Sequence, residues 1–248
     1  MDTLTPIENH EFKIEQIQDA KCYLSDKKFS ICDIAIPKCT KFDELEYYIH
    51  NVGFYTYYFI KLLKQLDFAV DFLSNYDYKP NLKYNRIDHL TYNIENYIIR
   101  YQSVLDRLLQ LINSVFHLTV DENNVNNNVI MSNLKVKKSA IPSKFSPIKN
   151  QIRKFCYDRN TIIHKNSYLE KRLREFEYYY SDSNNNIDNE VKAFRTRILK
   201  DYIKKNREKF LKNNQDLFKL IPDLFDELLI EYKKQREILI KTTRPNFT

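Results

Sequence analysis

The chain has 248 residues and a formal net charge of +7, with one glycine, four cysteines and five histidines. That length buries a sizeable core, as one large domain or as a domain with an appendage. Its single glycine, Gly53, excludes a glycine-rich phosphate loop and a turn-dense all-β fold.

From the amino terminus, Asp2 to Gln18 is polar and acidic, which predicts no signal peptide. Phe12 to Ile17 and Ile31 to Ile36 alternate apolar with polar residues, and Pro37 closes the second run. Alternation of this kind predicts short strands or extended arms, so residues 1–40 read as an N-terminal arm. A helical pattern rich in Tyr and Phe then runs from Phe42 to about Asn75. It is interrupted by Lys61, Lys64, Gln65, Asp67 and Asp71, which predicts a buried helix and no membrane span. Its aromatic residues are read mainly as packing, with base stacking as the alternative.

The clearest helix starts at Tyr84 or Asp88 and ends near Leu118. Ile94, Ile98, Tyr101, Leu105, Leu108, Ile112 and Val115 alternate spacings of three and four and form its buried stripe. Asp106 sits on the shoulder of that stripe. Between Asp121 and Ser146 the periodicity disappears into an Asn-rich run and a Lys/Ser/Pro stretch ending at Pro147, which predicts a long loop. Lys135, Lys137, Lys138 and Lys144 in it either guide a polyanion or are simply solvated.

Next comes a second apolar stripe of Ile148, Ile152, Phe155, Cys156, Ile162 and Ile163, with Arg159 projecting from the same face. A guanidinium taken out of water needs a carboxylate, buried acceptors or a phosphate. Two readings follow: a structural ion pair, with Asp106 as the candidate partner, or a phosphate-binding arginine. His164 lies about 140° round from Arg159, beside Arg153, Tyr157 and Asn160. The imidazole either caps the helix end or moves protons near neutrality.

Beyond the motif, Tyr168 to Tyr180 reads as a helix, followed by the polar loop from Ser181 to Asn186. Lys192 to Lys212 holds nine Lys or Arg against Asp201 and Glu208, an excess equal to the charge of the whole chain. Lys204, Lys205, Arg207 and Lys209 in it are either a footprint for nucleic-acid phosphates or a solvated face. The last helix, about Asn214 to Ile240, turns Leu217, Leu220, Ile221, Leu224, Leu228 and Tyr232 inward. Cys22, Cys32, Cys39 and Cys156 fit neither paired zinc ligands nor a disulfide scaffold, so reduced thiols in a cytoplasm are expected. His10, His50, His89 and His117 lie at no metal-binding spacing, and no metal or cofactor is called for.

The segment from Arg159 through Asn160 to His164 resembles the signature of the HEPN superfamily (higher eukaryotes and prokaryotes nucleotide-binding), an arginine, a polar residue and then a histidine. The helix from Tyr92 to Leu118 is similar to the one that precedes that signature, and the likeness covers about residues 90 to 180. The resemblance implies an all-α bundle, a homodimer with facing motifs, and RNA cleavage that needs no metal. Arg159 would hold the scissile phosphate, His164 would serve as acid or base, and Asn160 would orient one of them. Lys165 and Arg153 are outer RNA-binding candidates. HEPN ribonucleases also resemble toxins or phage-defence effectors, which implies a neutralising antitoxin as a partner. The competing expectation is a non-catalytic dimeric module that binds a protein or RNA. The expected organisation is an arm over 1–40, a HEPN-like bundle over 41–180 and basic C-terminal helices over 187–248.

Overall fold

The computed structural model of the protein describes residues 4–25, 42–73, 84–165, 168, 170–181 and 188–244. All the regular structure in them is helical, which makes the protein all-α. The helices are α1 (Thr5–Glu8), α2 (Glu11–Tyr23), α3 (Glu44–Phe72), α4 (Arg86–Val115), α5 (Asn127–Ser132), α6 (Leu134–Lys137), α7 (Ile141–Ile152), α8 (Cys156–His164), α9 (Lys171–Ser181), α10 (Asn189–Phe218) and α11 (Ile221–Thr243). Short 3-10 turns occupy Glu122–Asn124 and Arg153–Phe155. Among the described residues no helix is long and apolar enough to cross a membrane.

The chain groups into two compact units, and the grouping cuts across sequence order. The first comprises residues 1–63, 103–151 and 217–248, and the second residues 64–102 and 152–216. Helix α11 falls in the same unit as α1 and α2.

In the first unit, the expected strand at Phe12 to Ile17 is helical and forms part of α2. His10 starts it by accepting the Phe12 N–H on Nδ1 at 3.2 Å. Phe12, Gln16 and Asp19 are the residues α2 buries, at helical spacing, while Ile14 and Ile17 are exposed. Two buried polar residues replaced the expected apolar side, so the alternation of Phe12 and Ile14 misled. The other expected strand, Ile31 to Ile36, lies outside the described residues. Asp19 is held at its buried site by Tyr232 Oη at 2.7 Å and Arg236 Nη1 at 2.6 Å. Around it, Phe12, Tyr48, Phe59, Phe225 and Tyr232 are almost wholly buried.

The expected loop between Asp121 and Ser146 is largely helical. Asn126 accepts the N–H groups of Asn128 and Val129, and Asn133 accepts that of Lys135, so each asparagine starts a short helix. Ile130, Val136 and Ile141 hold this stretch down, each fully buried. Pro147 lies inside α7 instead of closing a loop. Just before Asp121, His117 and Thr119 take left-handed φ values of 47° and 56°. Asn113 clamps that bend by donating to Val120 O at 2.9 Å and accepting the Val120 N–H at 3.2 Å.

In the second unit, Tyr97 stacks on Phe210 at 3.8 Å and donates to Asn214 Oδ1 at 3.0 Å. Asn214 in turn donates to Leu66 O at 2.9 Å. The stripe of α4, whose residues divide between the two units, is buried at Ile94, Ile98, Tyr101, Leu108, Ile112 and Val115, each at 0% exposure, while Leu105 is only partly buried. The expected last helix is two: Asn214 to Phe218 complete α10, and α11 begins after a turn at Lys219 and Leu220.

Candidate active site

The motif occupies α8, a helix of 9 residues. It is not a continuation of α7, because the 3-10 turn Arg153–Phe155 intervenes. Tighter winding there shifts the phase of everything that follows. Ile148, Ile152 and Phe155 are accordingly buried, whereas Cys156 and Ile163 are exposed and Ile162 is intermediate, so the expected single apolar face ends at the turn. Gln102 donates to the Ile152 carbonyl at the junction. Phe155 anchors the start of α8, packing edge-on against Tyr101 at 5.3 Å and Tyr97 at 6.0 Å.

Arg159 is half-buried and donates from Nη1 to Asn160 Oδ1 at 3.1 Å. Asn160 also donates from Nδ2 to Cys156 Sγ at 3.9 Å, which orients the amide with its oxygen toward the guanidinium. Among the described residues Arg159 forms no ion pair. Asp106 is exposed and belongs to the first unit, whereas Arg159 belongs to the second.

His164 is the last residue of α8 and is exposed. Among the described residues its ring makes no hydrogen bond, either to the closing carbonyls or to Asn160. The carbonyl of Thr161 takes the backbone N–H of Lys165 instead, at 3.0 Å. The structure therefore joins Arg159 to Asn160 and leaves His164 apart from both. Arg153 and Lys165 are exposed on either side of α8.

The four candidates on α10 differ among themselves. Lys204 and Lys205 are exposed. Arg207 pairs with Asp71 at 3.1 Å, and Lys209 Nζ lies 5.4 Å from the centre of the Phe155 ring.

A cavity of about 270 Å³ adjoins the motif, lined by Tyr157, Asp158, Thr161, Tyr168 and Glu170. Of these, Tyr157 is the residue that the sequence already set beside His164 on the helix. Tyr168 and Glu170 were missed, because nothing in their spacing ties them to α8. A larger cavity, about 520 Å³, lies in the first unit among residues that include His50, Tyr55, Ser114, His117 and Glu122. It contains no residue of the motif. Tyr55 donates there to Glu122, and burial followed by that bond raises its pKa.

Neither the curated proteins nor the solved structures contain a match to this chain. The family model for Cthe2314-like HEPN matches residues 77–228, more than half of the chain and all of α8. On that match, the chain belongs to the HEPN superfamily, in its Cthe2314-like family.

Proposed function

We propose that the protein is a metal-independent endoribonuclease acting on single-stranded or loop RNA. A ribose 2′-OH attacks the adjacent phosphate, the bond to the departing 5′-oxygen breaks, and a 2′,3′-cyclic phosphate remains. His164 takes or supplies the moving proton, and Arg159, positioned by Asn160, offsets the charge that grows on the phosphate.

The observation that carries this reading is the company of Arg159. Its one hydrogen-bond partner among the described residues is an uncharged amide, so its positive charge is left for an anionic ligand. His164 supports it by not serving as a side-chain cap.

Arg159 and His164 are about 140° apart on α8, which suits a shared site built by two copies. A two-fold axis beside α8 would bring two arginines and two histidines round one phosphate, so the protein acts as a homodimer. The proposed setting is a toxin or phage-defence effector restrained by a neutralising protein.

Purified protein incubated with mixed RNA in EDTA tests the chemistry. Wild type should cleave, DNA should survive, and His164→Ala should be slower by a factor on the order of 10² to 10⁴. Equal rates for the two proteins would remove His164 from the site. Light scattering that finds an active monomer would refute the shared cleft.

A further inference from the structure

The cavity beside α8 is built rather than incidental. Its Tyr168 is anchored through its backbone N–H to Glu95 Oε1 at 2.6 Å. Glu170 accepts the Tyr202 hydroxyl on Oε2, and Tyr202 is itself buried against Phe176 at 5.4 Å. One oxygen of Glu170 is thus engaged from behind. Asp158 is half-buried, and among the described residues its side chain has no hydrogen-bond or ion-pair partner. Asp158 and Glu170 line the cavity together with Tyr168, and burial, then the charges of Glu170 and Asp158, push the pKa of the Tyr168 hydroxyl up to about 12.

Among the described residues no Lys or Arg lines this cavity, so its lining does not suit a phosphate. Two tyrosines and two carboxylates suit a flat, neutral group with N–H donors on its edge, and an amino-bearing nucleobase has that form. Position on the helix connects the cavity to the chemistry. His164 is three residues beyond Thr161 and seven beyond Tyr157, on the same side of α8 and about 5–6 Å from Thr161 between Cβ atoms. That is the reach from a base to its own phosphate.

We propose that this cavity holds the base on the 5′ side of the scissile phosphate and prefers guanine. The N1–H and N2–H₂ donors of guanine can meet one carboxylate in a two-pronged bond. Uracil would turn carbonyl oxygens toward Asp158 and Glu170 and offer a single N–H. The inference rests on the ribonuclease reading and adds a base preference to it.

The test is binding of 3′-GMP and 3′-UMP to the full chain, measured by calorimetry. The guanine nucleotide should bind about tenfold tighter or more, the usual yield of a well-made base contact. Asp158→Asn should reduce that preference several-fold, and Tyr157→Ala should weaken both nucleotides together. Glu170→Gln should also reduce it, but this change reaches Tyr202, so Asp158→Asn is the deciding variant. Equal affinities, no saturable binding of either nucleotide, or a preference that survives Asp158→Asn would overturn the proposal. The two readings fail separately. A chain that prefers guanine yet leaves RNA intact loses the cleavage reading, and one that cleaves without base preference loses this one.

Discussion

In the first unit, Arg236 lies between Glu15 Oε1 at 2.8 Å and Asp19 Oδ2 at 2.6 Å, and Arg244 lies between Asp43 Oδ2 at 2.7 Å and Glu46 Oε1 at 2.9 Å. In the second unit, Arg159 has an amide oxygen at 3.1 Å and no carboxylate among the described residues. The first arrangement is what an arginine needs when it serves the fold: its charge is neutralised in place, and the carboxylates are supplied by residues distant in sequence. Arg159 is oriented without being neutralised. Arg207 shows that the second unit can pair its arginines too, but that contact with Asp71 is exposed on both sides and contributes at most about 1 kcal/mol.

Opposite substitutions break the comparison at its strongest point. Arg159→Ala should lower RNA cleavage by a factor on the order of 10² to 10³, as when a donor to the transition state is lost. Its stability in urea should change by less than about 1 kcal/mol. Arg236→Ala should do the reverse. Removing it leaves Asp19, whose side chain is 11% exposed, with the Tyr232 hydroxyl but no counter-charge, and should cost about 3 kcal/mol of unfolding free energy. Protein that remains folded should cleave RNA normally. If Arg159→Ala destabilises as much as Arg236→Ala does, Arg159 belongs with the structural arginines.

The same contrast explains what was legible in the sequence. The stripe of α4 was readable because residues at helical spacing were apolar and are buried, so a local pattern carried the answer. In α2 the buried residues include Gln16 and Asp19, and what makes an aspartate an inward residue is Tyr232 and Arg236, more than 200 residues away. No window on the sequence contains that information. The short helices after Asp121 had a local signal, asparagine caps at 126 and 133, but it was masked by polar composition that also suits a loop. At the motif, the residue types were legible and their arrangement was not. The 3-10 turn at Arg153–Phe155 moved Cys156 and Ile163 outward and ended the face on which Arg159 was placed.

Salt dependence sharpens the comparison on the basic helix. Lys204 and Lys205 are exposed, whereas Arg207 faces Asp71 and Lys209 lies over Phe155. Cations free to meet phosphates should release counterions on binding, and cations already engaged should release fewer. Lys204→Gln with Lys205→Gln should flatten the slope of log affinity against log salt by up to about 0.7 per lost contact. Arg207→Gln with Lys209→Gln should flatten it less. A slope unchanged in the first pair would make this helix a solvated face, and RNA would then be held by the α8 region.

The smallest effect is an acid sensitivity to which each unit contributes one histidine. Burial lowers the pKa of His117 in the first unit, with Glu44 opposing and Lys135 adding to the shift, and burial lowers that of His89 in the second. Each folded pKa is thus below the unfolded value of about 6.5, so in between the unfolded chain binds more protons. Stability should therefore fall as pH drops through about 6.5 and level off below the folded values. Asp43, whose pKa is lowered despite its burial by the Glu46 N–H and Arg244, adds its own loss only at more acidic pH. His117→Asn suits this window, because asparagine tolerates the left-handed φ of 47° and does not titrate. Urea melts of that variant between pH 7 and pH 5 should slope less steeply than wild type, and His89→Gln should remove the remaining part. A double variant as acid-sensitive as wild type would show that carboxylates, not these two imidazoles, set the stability of the units in this range.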